Sequence, residues 1–280
     1  MIIVNSVFDL RATIHTWKQD GLRVALVATM GNLHAGHLKL VNSAKQKADK
    51  VVVSIFVNPT QFGVNEDFAS YPRTEQEDQL KLATENTDLL FLPAITDIYS
   101  ANAKTTVNVS GLSDSYCGAS RPGHFSGVAT IVCKLFNLVQ PDIAVFGLKD
   151  FQQFTVIKTM VNDLNIPIEL MGVDTQRESN GLAMSTRNNY LTDSERQLAP
   201  QLYQTLCVAQ TAILAGQQSY AAIEQQAIQT LKKAGFTPDY FTVCNSHDLS
   251  SATQQDKELV ILAAAKLGTT RLIDNVYFSL

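Results

Sequence analysis

Two histidines stand three residues apart in the run Thr29-Met30-Gly31-Asn32-Leu33-His34-Ala35-Gly36-His37. The run follows an apolar segment, Val24 to Ala28, that reads as a buried strand, and it opens a stretch that reads as a helix. A helix N-terminus presents backbone N–H groups and the positive end of the helix dipole, which suits phosphate. Gly31 and Gly36 let the backbone approach a ligand closely. On the first turn of a helix, residues three apart share a face. His34 and His37 can then both donate to a polyphosphate as negative charge builds. Zinc-protease helices space their histidines four apart around a glutamate, so no metal ligand is assigned here. The blander alternative is two histidines in a solvated turn, or one of them buried and satisfied, and the placement between strand and helix weighs against it.

Four further blocks carry polar side chains at positions suited to ligands. Gly181-Leu182-Ala183-Met184-Ser185-Thr186-Arg187-Asn188 sets small hydroxyls beside a cation, apt for the far side of a triphosphate. Phe146-Gly147-Leu148-Lys149-Asp150-Phe151-Gln152-Gln153 lies at a strand-to-helix turn, where open α/β sheets bind ligands. There Lys149 can neutralise an α-phosphate, and Asp150 can cap the helix. Phe56-Val57-Asn58-Pro59-Thr60-Gln61-Phe62 offers the uncharged hydrogen bonds of Asn58 and Gln61. Ala119-Ser120-Arg121-Pro122-Gly123-His124-Phe125 brings Arg121 and His124 into a possible second cationic cluster. Each of these four blocks, standing alone, also reads as an ordinary turn.

The elements that must position these blocks alternate. Strands are predicted over Val24 to Ala28, Val51 to Val57, Leu89 to Pro93, Val107 to Val109, Asp142 to Phe146 and Pro167 to Val173. Helices are predicted over Gly36 to Lys50, Thr74 to Asn86, Gly127 to Gln140 and Phe151 to Leu164. Strands and helices alternating at these lengths imply βαβ units in an α/β, Rossmann-like, doubly wound parallel sheet. After about Gln176 the pattern changes. Thr192 to Glu195 is a capping box that should open a long helix to about Ala215, stopped by Gly216. Ser219 caps a second helix to about Ala234. Tyr240 to Cys244, Glu258 to Ala264 and Arg271 to Ile273 are strand candidates. This is a smaller α+β domain, so the division is 1–175 and 176–280.

Composition narrows the function. The chain has 280 residues, 45% hydrophobic and 17% charged, with 22 Lys+Arg against 26 Asp+Glu and a net charge of −4. Such a chain can fill a sizeable core, and disorder is excluded. The basic excess of a nucleic-acid binder is missing. No apolar run approaches the roughly 20 residues that span a bilayer, and no signal peptide is visible in the first ten residues. Cys117, Cys133, Cys207 and Cys244 have no paired spacing, so thiols in a reducing cytoplasm are expected rather than zinc or disulfides.

HxGH and the later Met-Ser-Thr-Arg together resemble the HIGH and KMSKS motifs of the adenylate-forming nucleotidyltransferase superfamily. With TMGNLHAGH, FVNPTQF, YPRT, ASRPGHFSGV, QPDIAVFGLKDFQQ, LAMSTRN and RLIDN in order, essentially the whole chain resembles the pantothenate synthetases, also called pantoate–β-alanine ligases. The resemblance implies a cytoplasmic homodimeric ligase. It would use ATP and Mg²⁺ to adenylate pantoate, and the amine of β-alanine would then displace AMP to give pantothenate. It places Met30, Gly31, His34, Gly36 and His37 at ATP, with His37 the proton donor. Gly147, Lys149, Asp150 and Gln176 would contact the nucleotide, and Met184, Ser185, Thr186 and Arg187 would close over the triphosphate. Gln61 and Gln153 would bind pantoate. Asn58, Tyr71, Arg121 and His124 would line the substrate pocket. The second domain would close over the active site.

Four positions depart from the family pattern: Ala28 for Pro, Thr60 for Met, Leu148 for Glu and Thr186 for Ser. None removes a catalytic group, although Thr60 makes the pantoate pocket more polar. Two other readings use the same HxGH: a nucleotidylyltransferase acting on a phosphorylated acceptor, and a non-catalytic ATP sensor. The neutral Gln61 and Gln153 favour an unphosphorylated acceptor.

Overall fold

Six mostly apolar strands form one parallel sheet: β1 (Ile2–Val4), β2 (Val24–Thr29), β3 (Lys50–Ile55), β4 (Leu89–Phe91), β5 (Ile143–Gly147) and β6 (Glu169–Val173). Their spatial order is β1-β4-β3-β2-β5-β6. Strands of a parallel sheet are covered on both faces and so read as continuous apolar runs. Val24, Ala25, Leu26 and Val27 accordingly all have no exposed surface. The chain builds outward from β2 through β3 and β4, then reverses to the other side of β2 with β5 and β6. The carboxyl ends of β2 and β5 therefore mark the point where such sheets bind ligands.

The structure, a computed structural model, describes residues 1–64, 66–217 and 219–280. Two units are distinguished: Met1–Leu148 with Val156–Asp174, and Lys149–Thr155 with Thr175–Leu280. In the first, α1 (Val7–Gln19), α2 (Ala35–Lys45), α3 (Glu75–Thr84), α4 (Ile95–Ile98), α5 (Cys117–Ser120) and α6 (His124–Val139) accompany the sheet. Helix α7 (Phe151–Asp163) begins in the second unit and ends in the first. Leu33, Leu40, Val41 and Ala44 pack with Val27, Val53 and Val145 into one core cluster.

The second unit holds α8 (Asp193–Leu198), α9 (Gln201–Leu214), α10 (Tyr220–Lys233) and an antiparallel sheet of β7 (Thr237–Asn245), β8 (Glu258–Leu267) and β9 (Thr270–Ser279). Leu202, Leu206, Ile223 and Leu231 of α9 and α10 close over Phe241, Ile261 and Leu272 of that sheet. The fold is the doubly wound parallel sheet with a smaller α+β unit that the alternation of elements implies.

Several local expectations change. Pro200 divides the helix expected between Thr192 and Ala215: α8 ends at Leu198 and α9 starts at Gln201. Proline lacks the N–H that would continue the ladder. The Thr192 capping box is present, with Thr192 N 2.8 Å from Glu195 Oε2. Val107 to Val109 is not a strand; the Val107 amide donates to Thr130 Oγ1 of α6 instead. Ahead of Val24 lie β1 and α1. Ser6 Oγ caps α1 by accepting from the Asp9 amide at 3.1 Å, and Leu10, Ile14 and Trp17 form its buried stripe. Strand β9 runs ten residues, well past Ile273. Its central Asp274 and Asn275 lie just beyond the expected strand and are buried.

Candidate active site

The HxGH turn is shaped from below by a carboxylate. After β2, Gly31 and Asn32 take left-handed backbone angles, φ +84° and +50°, which glycine and asparagine adopt most readily. Asp78 of α3, with no exposed surface, accepts the amides of Asn32 at 2.8 Å and Leu33 at 2.7 Å. The Thr74 hydroxyl donates to the same carboxylate at 3.2 Å. Lys81, one turn further along α3, donates to the Leu33 carbonyl at 2.8 Å. A Cβ on Gly31 would press against Ile55 and the Asp78 carboxylate.

His34 is the N-cap of α2, and its Nδ1 accepts from the Gly36 amide at 3.1 Å. Nδ1 of His37 accepts from the His34 amide at 3.2 Å. A backbone N–H can only donate, so both Nδ1 atoms are unprotonated and the proton of each neutral ring sits on Nε2. The two rings lie 4.1 Å apart, centroid to centroid. The sequence thus builds two Nε2–H donors side by side at the start of a helix, each held by its own capping bond.

Gln61 ends a 3₁₀ turn, Pro59–Gln61, beyond β3. Its Nε2 is 3.1 Å from Met30 Sδ, and its Oε1 accepts from Asn58 Nδ2 at 3.1 Å. A residue assigned to pantoate is therefore in contact with one assigned to ATP. Asn58 is buried, and its amide is engaged within the protein: Nδ2 also reaches the Gly127 carbonyl at 3.2 Å, while Oδ1 accepts from Tyr99 at 2.9 Å and from the Thr60 hydroxyl at 3.0 Å. A side chain at Gly127 would collide with the Thr60 carbonyl, so α6 can pack on this turn only through glycine.

Arg121 and His124 brace the same turn. Arg121 makes a two-pronged pair with Glu66, Nε to Oε1 and Nη2 to Oε2, each 2.6 Å. Arg121 Nη1 lies 2.9 Å from His124 Nε2, and His124 Nδ1 lies 2.8 Å from the Gln61 carbonyl. Arginine only donates and a carbonyl only accepts, so this histidine carries its proton on Nδ1, the opposite tautomer to His34 and His37. Burial pushes the Glu66 carboxyl up, but the hydrogen bonds and charge of Arg121, with help from the Gly63 amide and His124, outweigh it and hold the group below its usual value. Tyr71 is buried edge-on against Phe62, ring centroids 5.7 Å apart.

In the second unit, Lys149 and Asp150 occupy a 3₁₀ turn, Leu148–Asp150, that runs into α7. Asp150 is thus inside a helical turn, with its Oδ1 3.9 Å from Lys149 Nζ. Gln153 follows, half-buried, on the first turn of α7. Gly147 closes β5 in the first unit. Gln176 and Met184 face each other across a short hairpin, the Met184 amide donating to the Gln176 carbonyl at 2.9 Å, with Arg177 bridging Ala183. Ser185 caps the next turn, Thr186–Tyr190, accepting from the Arg187 amide at 3.3 Å. Thr186 is buried and Arg187 half-buried.

Sequence reasoning missed Asp78, Glu66, Arg177, Asp274 and Asn275 as contributors. Asp274 and Asn275 fall in RLIDN, a block with no assigned chemistry. Asp78 sits among exposed acids at the start of α3, and nothing local distinguishes it.

The fold and these loops define a doubly wound α/β protein with an HxGH turn at its central strand. The family model described as Pantoate-beta-alanine ligase matches residues 2–277. The chain belongs to this family, and is an enzyme, a ligase. It is 55% identical to the pantothenate synthetase of Shewanella loihica, with 99% of each chain covered. It is 52% identical to that of Methylococcus capsulatus, covering 100% of this chain and 99% of the relative. The crystal structure of pantothenate synthetase from Thermus thermophilus matches with a TM-score of 0.92 at 40% identity, with 99% of each chain covered. The pantoate-beta-alanine ligase of Francisella tularensis, complexed with Beta-gamma ATP and Beta-alanine, matches with a TM-score of 0.83 at 32% identity, covering 99% of this chain and 97% of that one. Among the described residues, no helix is long and apolar enough to cross a membrane, and no three His, Cys, Asp or Glu side chains group as metal ligands. None of the four cysteines is in a disulfide.

Proposed function

We propose that this chain condenses pantoate with β-alanine to give pantothenate, AMP and pyrophosphate, through a pantoyl adenylate. A carboxylate is a poor acylating agent because oxide leaves badly. Transfer of the adenylyl group from ATP to the pantoate carboxylate makes a mixed anhydride from which AMP can leave. Attack at the α-phosphorus asks for positioning and charge stabilisation more than covalent help from the protein. The Nε2–H groups of His34 and His37 supply donors, His37 being the proton donor. Lys149 and Arg187 supply charge, and Ser185 and Thr186 supply small polar groups for the triphosphate. Met30, Gly31, Gly36, Gly147, Asp150, Gln176 and Met184 complete the nucleotide contacts, and Gln61 and Gln153 bind pantoate.

The observation that carries this reading is the 3.1 Å contact of Gln61 with Met30, beside the turn that orients both imidazoles. It sets a neutral polar group for a polyol acid against the nucleotide loop. Arg121 and His124 are taken up by Glu66 and the Gln61 carbonyl, so they hold the Gln61 turn instead of gripping substrate directly. In the second step the β-alanine amine attacks the anhydride carbonyl, the carbon–oxygen bond to AMP breaks, and water or a phosphate oxygen takes the amine proton, so no side chain is required as base.

Mg²⁺ would neutralise phosphate charge. A nucleotide-bound Mg²⁺ keeps several waters and takes most of its other ligands from phosphate. A chain with no grouped acids among the described residues fits that mode. Cysteines outside any disulfide suit a cytoplasmic enzyme, and the family resemblance supports a homodimer.

The test is pyrophosphate and AMP release from ATP with Mg²⁺, with pantoate and β-alanine added separately and together. Pyrophosphate dependent on pantoate, with sustained AMP release only when β-alanine is also present, is expected. ATP binding without pantoate-dependent turnover would move the assignment to another acceptor or to a sensor.

A further inference from the structure

Asp274 and Asn275 are adjacent in β9, and successive strand residues point to opposite faces. Both are buried, at 5% and 4% exposure, within a strand whose neighbour β8 is almost wholly apolar. A polar group in such a place is costly unless it is paired. Each is paired, and each partner lies in a different loop.

Asp274 faces the same side as Leu272, which belongs to the helix-covered core. Its carboxylate takes Arg177 in two prongs, Oδ2 to Nη1 at 2.6 Å and Oδ1 to Nη2 at 2.9 Å. The guanidinium also stacks on Tyr203 of α9, 3.4 Å from the ring centroid, and donates to the carbonyls of Gly181 at 3.1 Å and Asn275 at 3.4 Å. Arg177 therefore ties the first arm of the Gln176–Met184 hairpin, and the glycine at its bend, to β9. Ser185, Thr186 and Arg187 leave directly from the second arm.

On the other face, Asn275 Nδ2 donates to the main-chain carbonyl of Lys149 at 2.8 Å. Two residues further along the same face, the Tyr277 ring lies 5.9 Å from that of Phe151. The turn that carries Lys149 is thus fixed at the backbone of Lys149 itself. All these residues lie within the second unit.

We propose that Asp274 and Asn275 are positioning residues for catalysis: one dipeptide holds the lysine turn on one face and the Met184–Arg187 segment on the other, so that both cationic side chains start from fixed points on one strand. The proposal rests on the assignment of Lys149 and Arg187 to the nucleotide. The carboxamide of Asn275 does not ionise, so its hold on Lys149 is indifferent to pH. A misplacement of about 1 Å at a reacting group can cost about a hundredfold in rate, so loosening this anchor is expected to reach the chemistry without touching any ligand.

The experiment is a double-mutant cycle on the full chain with Asn275→Ala, Lys149→Ala and the pair. The readouts are pantoate-dependent pyrophosphate release, affinity for a non-hydrolysable ATP analogue by calorimetry, and a thermal melt. Asn275→Ala alone should lower kcat about tenfold or more while leaving the KM for pantoate within about twofold. In the Lys149→Ala background it should change kcat by no more than about twofold, because its route of action is gone. Effects that multiply would overturn the proposal, as would wild-type kcat in the single variant. If Asn275→Ala does not fold, Asn275→Asp, which keeps the volume and whose ionised carboxylate cannot donate, takes its place in the same cycle. Analogue binding by wild type without pantoate turnover would sink the functional assignment alone, and the cycle is then read on analogue affinity. No analogue binding by wild type would overturn both.

Discussion

Two buried carboxylates, Asp78 in the first unit and Asp274 in the second, hold loops in two different ways. Asp78 is surrounded by neutral donors: two backbone amides 45 and 46 residues away and the nearby Thr74 hydroxyl. Asp274 is paired with a guanidinium 97 residues away that is itself stacked on a tyrosine ring. Amide donors aimed at a carboxylate fix the shape of a turn, because they set the direction of successive peptide planes. An ion pair between distant segments fixes where one segment lies against another and says little about its local conformation. The HxGH turn needs a shape, with left-handed angles at Gly31 and Asn32. The Gln176–Met184 hairpin makes its own shape through its cross-strand bonds and needs a place.

The largest effect that would sharpen this contrast is on stability. Asp274→Ala leaves the Arg177 charge without its carboxylate, and breaking a buried pair from one side costs about 3–5 kcal/mol. Chemical denaturation should show that loss; a change under about 1 kcal/mol would mean that the pair is not what fixes the hairpin. Next come the groups proposed to touch substrate. Lys149→Ala and His37→Ala should each cost about 10²–10³ in the rate of adenylate formation, by analogy with the loss of one oxyanion donor. Their melting should stay close to wild type, and wild-type single-turnover rates in either variant would refute its role. Asp78→Ala strands two buried amides and should cost about 1–3 kcal/mol, with adenylate formation slowed as the HxGH turn relaxes. Unchanged kinetics in a destabilised Asp78→Ala would show that the turn keeps its shape without the carboxylate.

The smallest effect is one of pH. Because the folded Glu66 carboxyl titrates below its ordinary 4.5, its pairing with Arg121 stabilises the native state above that value. The contribution is lost as pH falls through the folded pKa. Glu66→Gln should therefore lower the neutral plateau of a stability–pH curve and flatten part of its acid limb, with variant and wild type converging at the acid end. An unchanged acid limb would remove Glu66 from the brace on Gln61.

What could be read in the sequence follows the same division. The parallel sheet is written in its strands, because a strand buried on both faces must be apolar throughout, as Val24 to Val27 and Val51 to Val53 are. HxGH, Lys149 and Met184–Arg187 are conspicuous because their residue types have few uses at strand-to-helix turns. Asp78 and Asp274 are not conspicuous, since a carboxylate that accepts amides or pairs with a distant arginine looks in sequence like any solvated acid. Asn275 is hidden for a related reason: its value lies in one bond to a carbonyl 126 residues away. The internal partners of Asn58, Arg121 and His124 are not legible in sequence, because hydrogen bonds between distant segments appear only once the fold brings them together. Pro200 is legible, but stronger capping and glycine signals stand on either side of it.

The central claim is that pantoate is activated as an adenylate before β-alanine takes part. Isotope exchange between pyrophosphate and ATP measures this most directly, because only a reversible first step can carry label back into the nucleotide. Wild-type enzyme with ATP and Mg²⁺ should exchange when pantoate is added and β-alanine is left out, and should not exchange without pantoate. Exchange that appears only when β-alanine is present would contradict the two-step account.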